Sequence, residues 1–378
     1  MKKIKYITFY SNENTHYLLT SPASLNKSKY LIKVLNDLDY SIEIITPSIL
    51  KINKGFYLYK KFNEKNNTFI HFSTLGSTIK ILKLMNLVSC IIQLYFHIYF
   101  NTKKNEEILI YHSVILFFPL ILLKKIKKVK LILEVEEIYY EVWKQRKIFK
   151  KMEEKLLQIA DAYIFSTHTL AKRIKYKKPY VVSYGEFNYI EQRVEKFNDG
   201  KIHIVYAGTF DPLKGVIESI NSAKFLDEKY HLHIIGFGNE KETNNVLGLI
   251  ERIKKETKCI ITYDGCLKGD DYINFIQKCH IGLSTIPKTH KFIDYVFPSK
   301  ILSYLCNNLI VVSSDLESVK TSPFADLIYF YEKNDPSVIA ETIRNIKNFD
   351  NVILQKEKIK NLDKNFTKEL LNLINEFE

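Results

Sequence analysis

The chain has 378 residues, of which 46% are hydrophobic and 26% charged, and it carries a formal net charge of +14. That length exceeds one ordinary core and predicts two domains, while the apolar share excludes a disordered chain. The charge is uneven: 31 of the 56 basic residues but 15 of the 42 acidic ones precede residue 191. A strongly basic first half points to an anionic partner on that side, such as lipid headgroups, nucleic acid or a phosphorylated acceptor.

The chain opens with MKKIKYITFY, two lysines and then a strand, without the apolar core and cleavage site of a secretory leader. Five cysteines show no CxxC pair, which predicts reduced thiols in a cytosolic protein. Strands are predicted in the first half at 5–10, 41–45, 68–72, 108–112, 129–135, 162–166 and 180–183. Helices are predicted at 24–37, 77–100, 114–125, 151–159 and 169–175, with Ser24 as the first N-cap. Two apolar stretches, Leu87 to Phe100 and Ile108 to Leu123, each fall short of a bilayer span. The second runs into KKIKK, the pattern of a segment that dips into one leaflet.

A second alternating series follows, with strands at 202–207, 231–235, 260–263, 281–285, 310–313 and 327–331. Its helices are predicted at 214–226, 245–257, 270–279, 299–306 and 336–346, and a last helix at 353–377. The polar stretch Gly185 to Gly200 reads as the linker. The expected domains are therefore 1–190 and 191–350, with a C-terminal helix at 351–378 packing back toward the first. Two alternating series predict two doubly wound α/β domains, whose ligands lie beyond the C-terminal ends of parallel strands.

Two segments of the second half carry chemistry. In YAGTFDPLKG a strand ends at Gly208, and a short loop leads to Lys214 and Gly215 at a helix start. Glycine allows close backbone approach, and the lysine and free N–H groups suit a diphosphate. In FPSKILSYL, Pro298 and Ser299 start a helix that places Lys300 in its first turn, where a cation opposes the helix dipole unless an anion is near.

These segments, with LHIIGFGNE, IITYDGCLKGDD and IVVSS, follow one another over about 110 residues. In that order they resemble the nucleotide-sugar domain of GT-B glycosyltransferases, family 4 in particular. The first half resembles the family's acceptor domain by layout. The resemblance implies two Rossmann-like domains facing across a cleft, and sugar transfer with retention and no metal or other cofactor. Gly208, Thr209, Lys214, Ser299 and Lys300 match diphosphate contacts, with Thr209 standing where many members carry Arg. Gly265, Cys266 and Leu267 match the base-reading loop, and Gly236–Gly238 a structural turn. The family's paired glutamates fall at Tyr295 and Ser303. Ser303 is then the candidate for the ribose, and Asp294 the candidate for the transferred sugar. In the first half, His112 closes a strand where the family places a histidine. The run Glu134–Glu137 ends the next strand, with Glu134 and Glu136 on one face. His112, Glu136 and Asp294 are the candidate catalytic groups.

The expected partners are a nucleotide-sugar, most simply a UDP-sugar, a lipid-linked or polysaccharide acceptor, and an anionic membrane surface, with no nucleic acid. The chain is read as lacking an Asp-x-Asp metal site, so lysines and helix starts would stabilise the leaving group. The expected location is the cytoplasmic face of the plasma membrane, in surface-polysaccharide assembly. A non-catalytic GT-B partner subunit is the alternative. An oxidoreductase is disfavoured, because no GxGxxG follows the first strand.

Overall fold

The computed structural model describes residues 2–12, 15, 17–142, 147–288, 291–349 and 352–376. The chain forms two compact units. Unit 1 comprises Met1–Ser166, Leu170–Glu186 and Asn365–Glu378, and unit 2 comprises Thr167–Thr169 and Phe187–Lys364.

Unit 1 contains strands β1 (Lys2–Ile7), β2 (Tyr40–Thr46), β3 (Phe56–Tyr57), β4 (Lys60–Glu64), β5 (Asn67–His71), β6 (Thr74–Leu75), β7 (Glu107–Tyr111), β8 (Lys130–Val135), β9 (Ala162–Phe165) and β10 (Tyr180–Val182). Its helices are α1 (Pro22–Asp37), α2 (Lys80–Asn101), α3 (Phe117–Lys127), α4 (Tyr139–Val142) and α5 (Lys147–Ile159), and α6 (His168–Arg173) begins at the unit boundary. The main sheet runs β10-β9-β8-β7-β1-β2-β5-β4. All its pairs are parallel except β4 with β5. The strand order reverses between β1 and β7, the place where doubly wound sheets bind ligands. Runs such as LILEV and AYIF are apolar throughout because helices cover both faces. Right-handed crossovers put α1 on one face and α2, α3 and α5 on the other. On that second face α2 packs against α3, and α3 against α5.

Several expectations are corrected. Ser21, not Ser24, caps α1: its hydroxyl accepts the Ser24 N–H at 3.2 Å, and Pro22 occupies the first turn, where a missing N–H costs nothing. The hairpin β4–β5 was not expected, because KKFNE has no apolar alternation. It is an edge strand held by its ladder and by Phe62 stacking on Phe69 at 5.1 Å. The first apolar stretch belongs to a 22-residue helix, α2, which is long and apolar enough to cross a membrane. The helix was expected at 77–100, but its apolar stretch was counted only from Leu87, after the polar residues Lys83 and Asn86.

Unit 2 contains β11 (Ile202–Thr209), β12 (Tyr230–Phe237), β13 (Ile260–Tyr263), β14 (Ile281–Ser284), β15 (Ile310–Ser314) and β16 (Ile328–Tyr331). Its helices are α7 (Val216–Ser222), α8 (Glu240–Lys254), α9 (Gly269–Lys278), α10 (Ser299–Leu305), α11 (Glu317–Lys320), α12 (Pro336–Arg344) and most of α13 (Val352–Asn375). The sheet is parallel in the order β13-β12-β11-β14-β15-β16, with its reversal between β11 and β14. Ile204, Tyr206, Leu232, Ile234, Val246 and Ile250 form the centre of one core layer. Gly236 pairs with Gly208 inside this sheet. It is therefore a strand residue rather than part of a turn, and the chain turns at Gly238, where Asn239 caps α8 with a capping box.

Residues 187–200 belong to unit 2. They lack regular structure but are pinned: Ile190 N–H donates to Cys306 O at 2.8 Å, Arg193 N–H to Gln277 Oε1 at 2.8 Å, and Phe197 N–H to Lys278 O at 2.9 Å. The residues of α13 from Asn365 onward group with unit 1, where Phe366 stacks on Tyr30 at 5.9 Å.

Candidate active site

The reversal point of unit 2 is built from the ends of β11 and β14. Alternation along IHIVYAG sets Tyr206 and Gly208 on one face of β11. After β11 comes a 3₁₀ turn, Pro212–Lys214, capped by Asp211, whose side chain accepts the Leu213 N–H at 2.9 Å. Gly215 follows with φ of +88°. A Cβ there would lie 2.1 Å from Thr285 O, so only glycine lets this turn seat on the end of β14. Thr285 Oγ1 donates to Gly215 O at 2.6 Å and fastens the contact.

Lys300 enters from α10. Ile301, Leu302, Tyr304 and Leu305 are buried and dock the helix, leaving Lys300 and Ser303 together on its other side. Tyr304 anchors it further, since its hydroxyl accepts the Ala207 N–H at 2.9 Å. The Lys300 ammonium thus lies over the Tyr206 ring, 4.5 Å from its centroid, and donates to the Tyr206 hydroxyl at 3.3 Å. Tyr206 Oη in turn lies 3.0 Å from both Thr209 O and Lys214 O. Gly208 leaves the space that the lysine fills: a Cβ there would lie 2.5 Å from Lys300 Cε.

Two cations share this corner. Burial, and then the neighbouring Lys214 charge, hold the Lys300 ammonium down to about 7, while Asp211 opposes the shift. Lys214 is exposed, and its ammonium is in no ion pair among the described residues. An ammonium held down by burial and by a neighbouring cation marks a site short of negative charge. Thr209 and Ser299 are exposed at the ends of β11 and the start of α10.

The loop Gly265-Cys266-Leu267 joins β13 to α9, and Gly265 O accepts the Gly236 N–H at 2.9 Å, which fixes the loop on the sheet. Cys266 is exposed; the other four cysteines are buried, and all five are free. Ser303 lies 2.9 Å, hydroxyl to hydroxyl, from Tyr272 on α9. Asp294 is exposed on a 3₁₀ turn, Lys291–Tyr295, held by Thr169 Oγ1 donating to Asp294 O at 3.0 Å and Thr167 Oγ1 to Tyr295 O at 2.8 Å.

Unit 1 carries a separate group at the C-terminal strand ends. His112 follows β7 and is 1% exposed. Its ring stacks between Phe117 at 5.2 Å and Tyr139 at 5.0 Å, with Glu153 Oε1 3.4 Å from Nε2. Burial drives its pKa down to about 3, opposed by a hydrogen bond with the Glu137 backbone, so the imidazole is neutral. Burial pushes Glu153 up to about 7, opposed by the Tyr139 and Tyr140 N–H groups it accepts. Glu134 and Glu136 share a face, since Lys27 of α1 lies 3.8 Å from Glu134 Oε1 and also pairs with Glu136. Glu134 is fully buried and accepts from the Tyr6 hydroxyl; burial raises its pKa. Of the two, Glu136 alone retains access to solvent.

Sequence reasoning missed Tyr206, Tyr272, Lys27 and Glu153. Tyr206 carried a signal, two residues before Gly208 on the same face. Lys27 lies four residues before Leu31, and Glu153 three and four before Leu156 and Leu157, so each is a charge inside an apolar stripe. Tyr272 carried none. The chain's Asp-x-Asp triplet, Asp37–Asp39, escaped notice. It lies exposed at the C-terminal end of α1, the opposite edge of the sheet from Glu136. His203, His231 and His233 form a cluster with ligand atoms within 4.8 Å, near the N-terminal ends of β11 and β12. It is internally satisfied: Asp199 holds His203, His203 meets His233 at 2.8 Å, and Asp264 holds His233 at 3.1 Å.

No known family profile matches the chain, and no curated protein is similar to it in sequence. Solved structures are similar in fold. A trehalose-6-phosphate protein from E. coli bound with UDP-2-fluoro glucose superposes with a TM-score of 0.69 at 10% identity, covering 100% of this chain and 99% of that one. A UDP-forming trehalose-phosphate synthase from Burkholderia xenovorans, in complex with glucose-6-phosphate, gives 0.70 at 10% identity, with 100% of both chains covered. The N-terminal domain of Candida albicans trehalose-6-phosphate phosphatase gives 0.64 at 12% identity, covering 99% and 96%. The chain thus has the α/β GT-B fold, built from two doubly wound units.

Proposed function

We propose that this protein is a glycosyltransferase that moves a sugar from a UDP-sugar to an acceptor held at a membrane. The observation that carries the reading is the corner of unit 2 where Gly208 admits Lys300 beside Lys214. Departure of the sugar builds charge on the β-phosphate, and two preorganised ammonium groups offset it. The fold likeness supports a UDP donor, since the solved structures include a UDP-sugar complex and UDP-forming synthases. Ser303, with Tyr272 behind it, is the proposed ribose contact, and Gly265, Cys266 and Leu267 the proposed base contact. His112, neutral at a C-terminal strand end, is proposed to donate to a sugar hydroxyl. Glu136 is proposed as the base toward the acceptor, and Asp294 as a contact of the transferred sugar. Retention without a metal follows from the family 4 resemblance and is proposed with it.

For the solved synthases, one structure holds glucose-6-phosphate. Here a lipid-linked acceptor of surface-polysaccharide assembly, reached from the cytoplasmic side, is proposed instead, because unit 1 is basic and exposes apolar helices. A second reading, a non-catalytic GT-B partner, is favoured by Tyr295 and Ser303 standing where the family carries glutamates. UDP release from a panel of UDP-sugars, with and without a lipid-linked acceptor, separates the two. Release that is lost in Lys214→Ala supports the enzyme. UDP binding with no turnover under any condition supports the partner. Failure to bind UDP overturns the enzyme reading and leaves the partner, which would bind the nucleotide-sugar weakly or not at all.

A further inference from the structure

Helix α2 has two apolar faces. Cys90, Leu94 and Ile98 are buried against unit 1, and the helix is fastened there by side chains. Asn86 Oδ1 accepts the Leu75 N–H at 2.8 Å, Gln93 Nε2 donates to Ser73 O at 2.9 Å, and His97 lies 3.2 Å from Glu43. The other face carries Ile81, Leu84, Met85, Val88, Ile92 and Phe96, all exposed, at helical spacing. Of the most apolar 18 residues of α2, 17% are buried. A helix pinned by one face to its own sheet does not span a bilayer, and its free apolar stripe remains unexplained by the fold.

Helix α3 packs against α2, and α5 against α3, and these helices carry apolar groups of their own. Between α3 and α5 runs an apolar groove with Phe118, Ile121, Ile148 and Met152 in its lining, and Lys125, Lys151 and Lys155 at the same place. All three lysines are exposed and in no ion pair among the described residues. Helices α2 and α3 contain five lysines and no acidic residue.

We propose that the α2–α3–α5 face of unit 1 is a monotopic membrane-docking surface, with the α2 stripe immersed at the headgroup–acyl boundary and the lysines on anionic lipid phosphates. Charge selects this occupant: a purely apolar partner would leave the lysines desolvated without counterions, whereas an anionic leaflet supplies both apolar chains and negative charge. The inference rests on the membrane part of the reading above and not on its donor chemistry.

The test is co-sedimentation of the full chain with vesicles of phosphatidylcholine alone or with 30% phosphatidylglycerol, at about 0.15 M and 0.5 M salt. The expected result is binding about tenfold tighter to the anionic vesicles, weakened by salt. Ile81→Glu/Met85→Glu/Ile92→Glu should abolish binding to both, and Lys125→Glu/Lys151→Glu/Lys155→Glu should remove the preference for anionic lipid. Circular dichroism and UDP thermal shift should stay at wild-type values in both variants, which separates loss of docking from loss of fold or donor site. Wild-type protein that stays in the supernatant with both vesicles overturns the proposal. So does an apolar-stripe variant that pellets like wild type, or a wild-type dimer that the stripe variant splits and that ignores lipid.

Discussion

Lys300 occupies the side-chain space that Gly208 lacks: its Cε lies 2.5 Å from where a Cβ on Gly208 would stand, and its ammonium sits 4.5 Å above the Tyr206 ring. A residue 92 positions away in sequence therefore completes the strand end. The cation is brought to the sheet by the docking of α10 through Tyr304 rather than by local sequence.

Gly208→Ala should act through Lys300. The clash falls on the flexible end of the lysine, so the side chain swings away and nucleotide affinity drops about tenfold, the range of one charge-assisted hydrogen bond. The double variant Gly208→Ala/Lys300→Met should bind UDP no worse than Lys300→Met alone. Calorimetric titration of the three variants checks this; full additivity would place Gly208 in a separate role.

Nucleotide binding should depend on pH. With Lys300 held down to about 7, the free site loses its second charge as pH rises through that value. A bound diphosphate favours the charged form, so binding takes up a proton above pH 7. UDP affinity should fall about tenfold between pH 7 and 8.5, from the spacing of free and bound pKa values. Lys300→Arg should show a flat profile over that range, whatever its absolute affinity, because guanidinium stays charged.

Gly215→Ala should destabilise unit 2 rather than tune binding. The residue holds φ of +88°, and a Cβ would meet the Thr285 backbone at 2.1 Å, with no flexible atom to yield. The expected loss is about 2–4 kcal/mol in urea denaturation, from the left-handed backbone and the clash together. A variant within about 0.5 kcal/mol of wild type would show that the turn does not seat there.

The buried His112–Glu153 pair predicts an acid signature. His112 titrates at about 3 when folded and 6.5 when unfolded, so its contribution to stability is complete above pH 6.5 and is lost as pH falls toward 3. Glu153, raised to about 7, has the opposite sign: it gains stability as pH falls from 7 toward 4.5. The two nearly cancel in wild type. His112→Asn removes one side of the balance, so its stability relative to wild type should improve by about 2 kcal/mol between pH 7.5 and 5. Urea denaturation at both pH values measures the difference, and a pH-independent gap would contradict the assignment.

Most of this fold could be read in the sequence, because its strands are buried on both faces and announce themselves as apolar runs. The expectation failed where a backbone ladder and one ring stack hold an edge without apolar alternation, as at Lys60–Glu64, and where a proline moved a cap by three residues, as at Ser21. For the candidate site, Gly208, Lys214 and Lys300 were named from the sequence, and the structure brings them together. Tyr272 and Lys27 were not found as partners, because contacts of Tyr272 with Ser303 and of Lys27 with Glu136 arise only when separate strands and helices stack. His112 was placed at the right strand end, but the rings of Phe117 and Tyr139 that enclose it come from two other segments.

The measurement that tests the central claim most directly is UDP binding by titration calorimetry at pH 7, comparing wild type with Lys300→Ala and Lys214→Ala/Lys300→Ala. Saturable 1:1 binding by wild type, weakened about tenfold or more by the first and lost in the second with both variants still folded, is the predicted result. Equal UDP affinity in all three proteins would contradict a diphosphate site at the end of β11.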